Sequence, residues 1–158
     1  MTPSLPDIRF KSPSGFSCNI SMAKTNAALK TAQLWLDNQI MTDMLPYMPM
    51  NTGTFIQATR SRSAALAGTG VVCAAAPPMG RMLYYGKVMV DAQTGKGARP
   101  IRLKTGEVIF RFRKGARLIP TSRDLTWTRP QTRPEWFEVA KKEHYNDWVA
   151  GVQAILSR

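Results

Sequence analysis

The sequence predicts a single domain of the α+β class. Two segments with helical periodicity lie near the ends of the chain, and short strand-like segments with turn residues lie between them. The chain has 158 residues, of which 44% are hydrophobic, and this suffices for one buried core. We divide it into an extended arm (1–18), a helix-and-sheet core (19–90), a basic hairpin and loop segment (91–133) and a C-terminal helix (134–158).

The arm is rich in proline, serine and glycine up to Cys18, a composition typical of extended chain. We expect the first helix to begin at Ser21 or Thr25, which can act as N-caps, and to end before Pro46, which lacks an N–H group. Polar residues such as Asp37 fall largely outside its apolar face. That face repeats every three or four residues and comprises Leu29, Ala32, Leu36, Ile40 and Met44.

Residues 47–53 predict a shaped turn after this helix. Pro49 stiffens the chain, Asn51 can bond to the local backbone, and Gly53 permits a positive φ. Residues 54–60 are expected to extend away from the turn.

Two short strands are expected in the rest of the core segment. The Gly-Thr-Gly sequence at 68–70 predicts a turn leading into a strand at 71–74, which would give a hairpin. Residues 82–90 predict a strand with a β-bulge at Gly86.

Most of the positive charge lies in one segment. The formal net charge is +12, and residues 96–133 hold 11 basic and 2 acidic side chains. Such an excess attracts nucleic acid or an acidic protein neighbour, although a solvated loop is the alternative. The candidate contacts to another subunit or to DNA are Arg99, Arg102, Lys104, Arg111, Arg113, Lys114 and Arg117.

A hairpin is expected within this basic segment. Residues 101–104 and 108–113 alternate apolar and basic side chains, and Thr105-Gly106 could close the turn. Both strands would then present an apolar face, including Phe110 and Phe112, and a basic face.

The return to the last helix contains Pro120, Pro130 and Pro134 and is expected to be looped. The helix itself should run from about Glu135 to Leu156, since an acidic residue is favourable at its N-terminal end. Its broad apolar face comprises Trp136, Ala140, Trp148, Val152 and Ile155.

The reactive residues argue against catalysis. The one histidine, His144, would have to pair with Cys73 as a nucleophile couple, and a packed or partly exposed histidine is the favoured interpretation. Cys18 and Cys73 lack metal-site spacing, and residues 94–97 lack the remaining elements of a phosphate loop. We therefore expect no enzyme, no cofactor and no metal.

No apolar run approaches the roughly 20 residues of a membrane helix. Residues 1–13 lack the basic start and apolar block of a secretory signal. With two cysteines, the chain fits synthesis in a reducing cytoplasm.

Three blocks of sequence carry a resemblance to a known family. The first is Leu36–Ile40 running into Tyr47, Pro49, Asn51, Thr52 and Gly53. The second is Leu83-Tyr84-Tyr85-Gly86, and the third comprises Pro134, Glu135, Trp136, Phe137, Ala140, Lys141, His144, Asp147 and Trp148. Together they resemble the minor capsid proteins of long-tailed (siphovirus-type) bacteriophages, which are similar to head–tail neck or tail-completion proteins.

This resemblance implies a non-enzymatic structural protein of the virion. The implied fold is an antiparallel sheet flanked by the N- and C-terminal helices, similar to tail-terminator or neck subunits. The motif residues would be structural, with Trp136 and Phe137 anchoring the last helix to the sheet. The turn from Pro49 to Gly53 would set how the first helix meets that sheet.

We expect a hexameric or dodecameric ring at the head–tail junction of the virion, made in the cytoplasm of the bacterial host. Its neighbours would be phage connector and tail proteins, and its channel would offer a contact with genomic DNA. The alternative is a nucleic-acid-binding module that uses the basic ribbon 101–113.

Overall fold

A computed structural model describes residues 4–11, 17–77, 79–106 and 108–157. It confirms the α+β class: these residues form helices together with small antiparallel sheets. The elements in chain order are β1 (Ile8–Lys11), β2 (Ser17–Ile20), α1 (Ala23–Met44), a 3₁₀ turn (Leu45–Tyr47), α2 (Thr54–Leu66), α3 (Gly80–Tyr85), β3 (Lys87–Asp91), β4 (Arg99–Arg102), β5 (Val108–Arg111), β6 (Leu118–Asp124) and α4 (Trp136–Leu156).

The strands of the described residues form three separate two-stranded sheets. A single antiparallel sheet flanked by the two helices was expected. Antiparallel pairs form between β1 and β2, between β3 and β6, and between β4 and β5. The N-terminal arm is extended as expected, but it pairs with itself, because β1 and β2 lie side by side with Ile8 opposite Ile20. Residues 1–3 and 12–16 of the arm lie outside the described residues.

The two long helices α1 and α4 pack against each other, and their bounds agree closely with the prediction. A hydrophobic cluster forms where the end of α1 meets α2 and the first half of α4. It comprises Met41, Met44, Met48, Ile56, Trp136, Ala140 and Trp148. Further along, Gly151 of α4 faces Trp35 of α1, and a Cβ atom there would lie 2.0 Å from the indole ring. The glycine therefore allows the close approach of the two helices.

Asp37 is buried on α1, although the sequence placed it outside the packed face. Its carboxylate accepts hydrogen bonds from the N–H groups of Gly68, at 2.7 Å, and Gly70, at 3.1 Å. Gln33 donates a third at 2.7 Å. These bonds make the burial of the carboxylate tolerable and fasten the turn at the end of α2 to α1.

The expected extension at 54–60 is wrong, because these residues belong to α2. Gly53 has φ = +80°, and its carbonyl accepts from the N–H of Gln57 as the helix begins. The buried residues of α2 are Ile56, Thr59 and Ser63. Two of these three side chains are polar, so apolar periodicity does not reveal the buried face.

The expected strand at 71–74 is also wrong. The hydroxyl of Ser63 donates to the carbonyl of Cys73 at 3.0 Å and accepts from its N–H at 3.1 Å. The hydroxyl of Thr59 accepts from the N–H of Ala76 at 3.2 Å. Side chains of α2 thus satisfy backbone groups that a strand would pair with another strand.

The predicted strand at 82–90 divides into a helix and a strand. Residues 82–85 belong to α3, and Gly86 (φ = +64°) ends it in the left-handed conformation typical of helix C-termini. The strand β3 follows, and its pairing with β6 shifts register between Lys87 and Met89. The irregularity near the expected bulge is therefore present, but it lies after the glycine.

Pro120 lies inside β6, opposite Met89, and not in the expected loop. A two-stranded sheet has two edges, so a residue without an N–H group can be accommodated there. Residues 125–135, which include Pro130 and Pro134, form the looped return. Across the described part of the chain, none of the helices combines the length and apolarity that crossing a membrane requires.

Candidate interaction surface

The basic hairpin, defined as β4 and β5 with their connecting turn, forms where it was predicted, but β4 begins at Arg99, two residues earlier than expected. Its faces are also mixed. Ile101 pairs with Ile109, and Arg99 pairs with Arg111. Paired residues of an antiparallel ladder share a face, so isoleucines and arginines lie together on one side. Pro100 pairs with Phe110 and therefore shares the opposite face with it. The expectation of one apolar and one basic face is wrong.

A change of register by one residue explains this difference. A two-residue turn at 105–106 would place Ile101 opposite Phe110, whereas the structure places Ile101 opposite Ile109. Because side chains alternate along a strand, a shift of one residue moves every side chain of that strand to the other face.

The predicted contact cations are all exposed, and one of them has an internal role. Arg113 Nε lies 3.0 Å from Asp91 Oδ2, and its guanidinium also donates to Gln93 Oε1 at 2.6 Å. Within the described residues, no ion pair involves the other six: Arg99, Arg102, Lys104, Arg111, Lys114 and Arg117. These six carry the charge that is available to a partner.

Asp91 fixes the base of the basic segment to β3. Its side chain is 4% exposed and also accepts the N–H of Gln93 at 3.0 Å. The hydrogen bond from Arg113, followed by that from the Gln93 backbone, lowers the pKa of this carboxyl below its ordinary value. Arg113 is therefore a positioning residue for the segment.

A groove that no sequence pattern indicates lies between the basic hairpin, the β3–β6 sheet and α3. Its volume is about 870 Å³. Its apolar lining includes three methionines and two phenylalanines: Met79, Met82, Met89, Phe110 and Phe112. Arg81, Arg111 and Arg117 also line it, and the described lining residues include no carboxylate.

The motif residues of the second and third blocks pack against one another. The ring of Trp136 is buried and meets Tyr84 edge-on at a centroid distance of 5.0 Å and Phe55 at 5.9 Å. Its Nε1 donates to the carbonyl of Ala74 at 2.8 Å. The N–H of Glu135 donates to the carbonyl of Tyr84 at 2.7 Å. Trp136 does anchor α4, but its ring contacts are with α2 and α3 and not with a sheet.

Other motif residues also serve internal packing. Phe137 stacks on Trp148 at 6.5 Å, and Trp148 Nε1 donates to Asp43 of α1 at 2.7 Å. A Cβ atom at Gly86 would lie 3.0 Å from Pro134. Tyr85 differs, since about half of its side chain is exposed.

Tyr47 links the end of α1 to α4. Its hydroxyl donates to the carboxylate of Glu143, and its carbonyl accepts the N–H of Arg133 at 3.1 Å. The hydrogen bond to Glu143 raises the pKa of Tyr47, and burial adds to it. Burial is the main reason that the pKa of Tyr84 is raised.

The turn after Tyr47 is present, and it lines a second cavity of about 400 Å³. Thr52 and Thr54 hydroxyls lie 2.9 Å apart beside it. The motif residues on this cavity are Pro49, Asn51, Thr52 and Gly53, and the facing side chains include Phe55, Leu83 and Trp127.

The residues weighed for chemistry do not converge among those described. His144 Nδ1 lies 3.7 Å from Asp147, and both Cys18 and Cys73 are free thiols. No hydrogen bond in the described residues joins Cys73 to His144, and no group of three His, Cys, Asp or Glu residues there could hold a metal.

Comparison with known proteins gives no assignment. No protein-family model matches the chain, and neither curated proteins nor solved structures show a significant match. The resemblance to phage minor capsid proteins therefore stays a prediction from the three sequence blocks.

Proposed function

We propose that this chain is a structural, non-catalytic virion subunit of a tailed bacteriophage. In this proposal, copies form a ring at the head–tail junction that joins the head connector to the tail, as neck or tail-completion proteins do. Its α+β fold would then be a variant of the neck and tail-terminator type.

One observation carries the proposal: aromatic residues of the family-like blocks pack the interior, whereas the basic hairpin is exposed. The aromatic residues Tyr84, Trp136 and Trp148 pack the interior, which suits a scaffold. The basic hairpin beside them exposes cations that have no ion-pair partner among the described residues. A packed scaffold with a projecting charged element is the arrangement expected of an assembly subunit.

The hairpin also offers backbone groups for assembly. The described strands β4 and β5 pair only with each other, so each has an outer edge that a strand from a neighbour can extend. Contacts between different surfaces of identical subunits form a ring when the rotation closes. We assign the hairpin to contact with the neighbouring connector or tail protein.

Deletion of the gene in the phage that encodes this chain tests the proposal. We expect filled heads and detached tails in electron micrographs, and restoration of joined particles by the wild-type gene supplied in trans. Supply of the Trp136→Ala variant, which removes the central packing residue, should not restore them. Normal infectious particles from the deletion would refute the proposal.

One observation at the hairpin favours a second candidate function, the binding of single-stranded nucleic acid. Phe110 is 68% exposed, and Arg102 lies on the same face of the hairpin as Phe110 and Pro100. Exposed aromatic rings beside cations are typical of single-strand nucleic-acid binding. This function predicts micromolar DNA binding by the isolated chain that weakens steeply with salt.

Neutralising Arg102, Arg111 and Lys114 distinguishes the two functions. For a nucleic-acid module, the triple glutamine variant should lower the slope of log affinity against log salt by about 2–3, because roughly 0.7–0.9 counterions are released per phosphate contact. Arg113 is left unchanged because it holds Asp91. An absence of salt-dependent DNA binding by the wild type removes this function.

A further inference from the structure

The groove beside the basic hairpin combines two kinds of lining. Phe110, Phe112 and Ile119 offer apolar surface, and Arg81, Arg111 and Arg117 offer positive charge. Arginine, methionine and aromatic residues are the types enriched in protein interfaces. This combination distinguishes it from the second cavity, whose described lining contains no charged side chain.

The apolar surface in this groove is accessible. Phe110 is the most exposed large apolar side chain of the described residues, and Met79 and Ile119 are also exposed. Methionine side chains adjust their shape to a ligand more readily than branched ones. The floor is firm, because Met89 is buried in the paired strand β3.

The positive charge of the groove indicates which kind of molecule it can bind. Three arginines line the groove with no described carboxylate among the lining residues. The chain holds 10 acidic against 22 basic side chains, so a second copy offers few carboxylates to pair with the arginines of this groove. Phosphates of nucleic acid would also pair with the arginines, and a single strand would stack its bases on aromatic side chains. Most of the apolar lining of this groove is aliphatic or methionine, which offers no such stacking surface.

We propose that this groove binds an acidic peptide segment of a different protein that carries at least one aromatic or large aliphatic anchor. The anchor occupies the surface of Phe110, Phe112 and Met82, while carboxylates of the segment pair with Arg111 and Arg117. The groove proposal rests on the proposed function for its biological partner, which would be the connector or tail protein beside the hairpin. It adds the chemistry by which that protein is bound.

Selection from a library tests the proposal without assuming a sequence. Random dodecapeptides displayed on a carrier are selected on the purified full-length chain, and the enriched peptides are measured by fluorescence anisotropy. We expect peptides rich in Asp and Glu around Trp, Phe or Leu. Their affinity should fall about tenfold or more in Phe110→Ser and in Arg117→Gln, since each variant removes one kind of contact.

Matched variants show whether the effect belongs to the groove. Val71→Ser removes an exposed apolar side chain and Arg62→Gln an exposed arginine, and both residues lie elsewhere on the surface. These variants should bind the selected peptides with the affinity of the wild type. Phe110 and Arg117 are exposed, so their substitution should leave the circular dichroism spectrum unchanged.

Three results would overturn the proposal. The first is that no acidic, apolar peptide is enriched, or that the Phe110 and Arg117 variants bind as well as the wild type. The second is tighter binding of oligothymidine than of any peptide, lost in the same variants, which assigns the groove to nucleic acid. The third is self-association that Phe110→Ser abolishes, which assigns it to a second copy.

The outcome is separable from that of the ring proposal. Peptide binding is measured on the isolated chain, whereas the ring is judged by the particles formed after gene deletion. Acidic peptide binding with normal particles would refute only the ring, and detached tails without peptide binding would refute only the groove.

Discussion

Substitution of Gly151 by alanine tests how closely α1 and α4 approach each other. A Cβ atom at this position would lie 2.0 Å from one indole carbon of Trp35 and 2.6 Å from two others. Carbon atoms in contact are normally about 3.5–4.0 Å apart, so the indole ring or the helix must move by more than an ångström.

Two opposing effects set the magnitude. Alanine in a helix interior is favoured over glycine by about 1 kcal/mol. Overpacking of a close contact costs about 1–3 kcal/mol. We therefore expect Gly151→Ala to lower the free energy of unfolding by about 1 kcal/mol.

In a Trp35→Ala background the indole ring is absent, and the effect of Gly151→Ala on the free energy of unfolding should change sign. There, Gly151→Ala should raise the free energy of unfolding by about 0.5–1 kcal/mol, since only the helix preference remains. The assay is urea unfolding followed by far-ultraviolet circular dichroism, which does not depend on the removed tryptophan. Gly97→Ala, which meets no atom within 4 Å, is the control and should change stability little. Stabilisation of equal size in both backgrounds would refute the close approach of the helices.

Three further predictions concern buried polar and backbone features. Asp37→Ala removes the acceptor of two backbone N–H groups and should cost about 1–3 kcal/mol in urea unfolding; an unchanged midpoint would contradict the buried bonds. Gly86→Ala forces a positive φ on alanine and presses a Cβ atom against Pro134, so it should lower stability by about 1–3 kcal/mol; a melting temperature at or above that of the wild type would count against this. The pKa of Asp91 is lowered in the folded chain, so its contribution to stability is present above the ordinary pKa and is lost as the pH falls through the lower folded pKa. Arg113→Gln should therefore flatten the loss of stability on acidification below about pH 4. Parallel curves of stability against pH for the two proteins would contradict the pairing of Arg113 with Asp91.

The two long helices could be predicted from the sequence because their signals are local. Pro46 lies just after the end of α1, and Pro134 lies just before the start of α4. Within each helix, apolar residues recur every three or four positions. On the predicted face of α4, Trp136, Ala140 and Trp148 are buried, and Val152 and Ile155 are half-buried. The face of α1 was only partly predicted, since Asp37 is buried through bonds to a turn that lies far along the chain.

The region from 54 to 90 could not be predicted by apolar pattern. The buried face of α2 includes Thr59 and Ser63, whose hydroxyls bind the backbone of 73–76. Val71 and Val72 have the strand preference of β-branched residues. Tertiary hydrogen bonds override that local preference and leave the segment irregular.

The basic hairpin was predicted in its location but not in its geometry. The charge count identified the basic segment, and alternation identified both hairpin strands. The register depends on the turn, and one residue of offset mixes the faces. The groove brings together Met79, Phe110 and Ile119 from three separate segments, so no local pattern indicates it. Arg113 resembles its neighbours in sequence, and only the fold places it against Asp91.

Electron cryomicroscopy of assembled particles with this subunit labelled tests directly whether the chain forms a ring between head and tail. We expect labelled copies arranged in a closed ring where head and tail meet. A label absent from the particle, together with a fully active single chain that converts a small molecule, would contradict it.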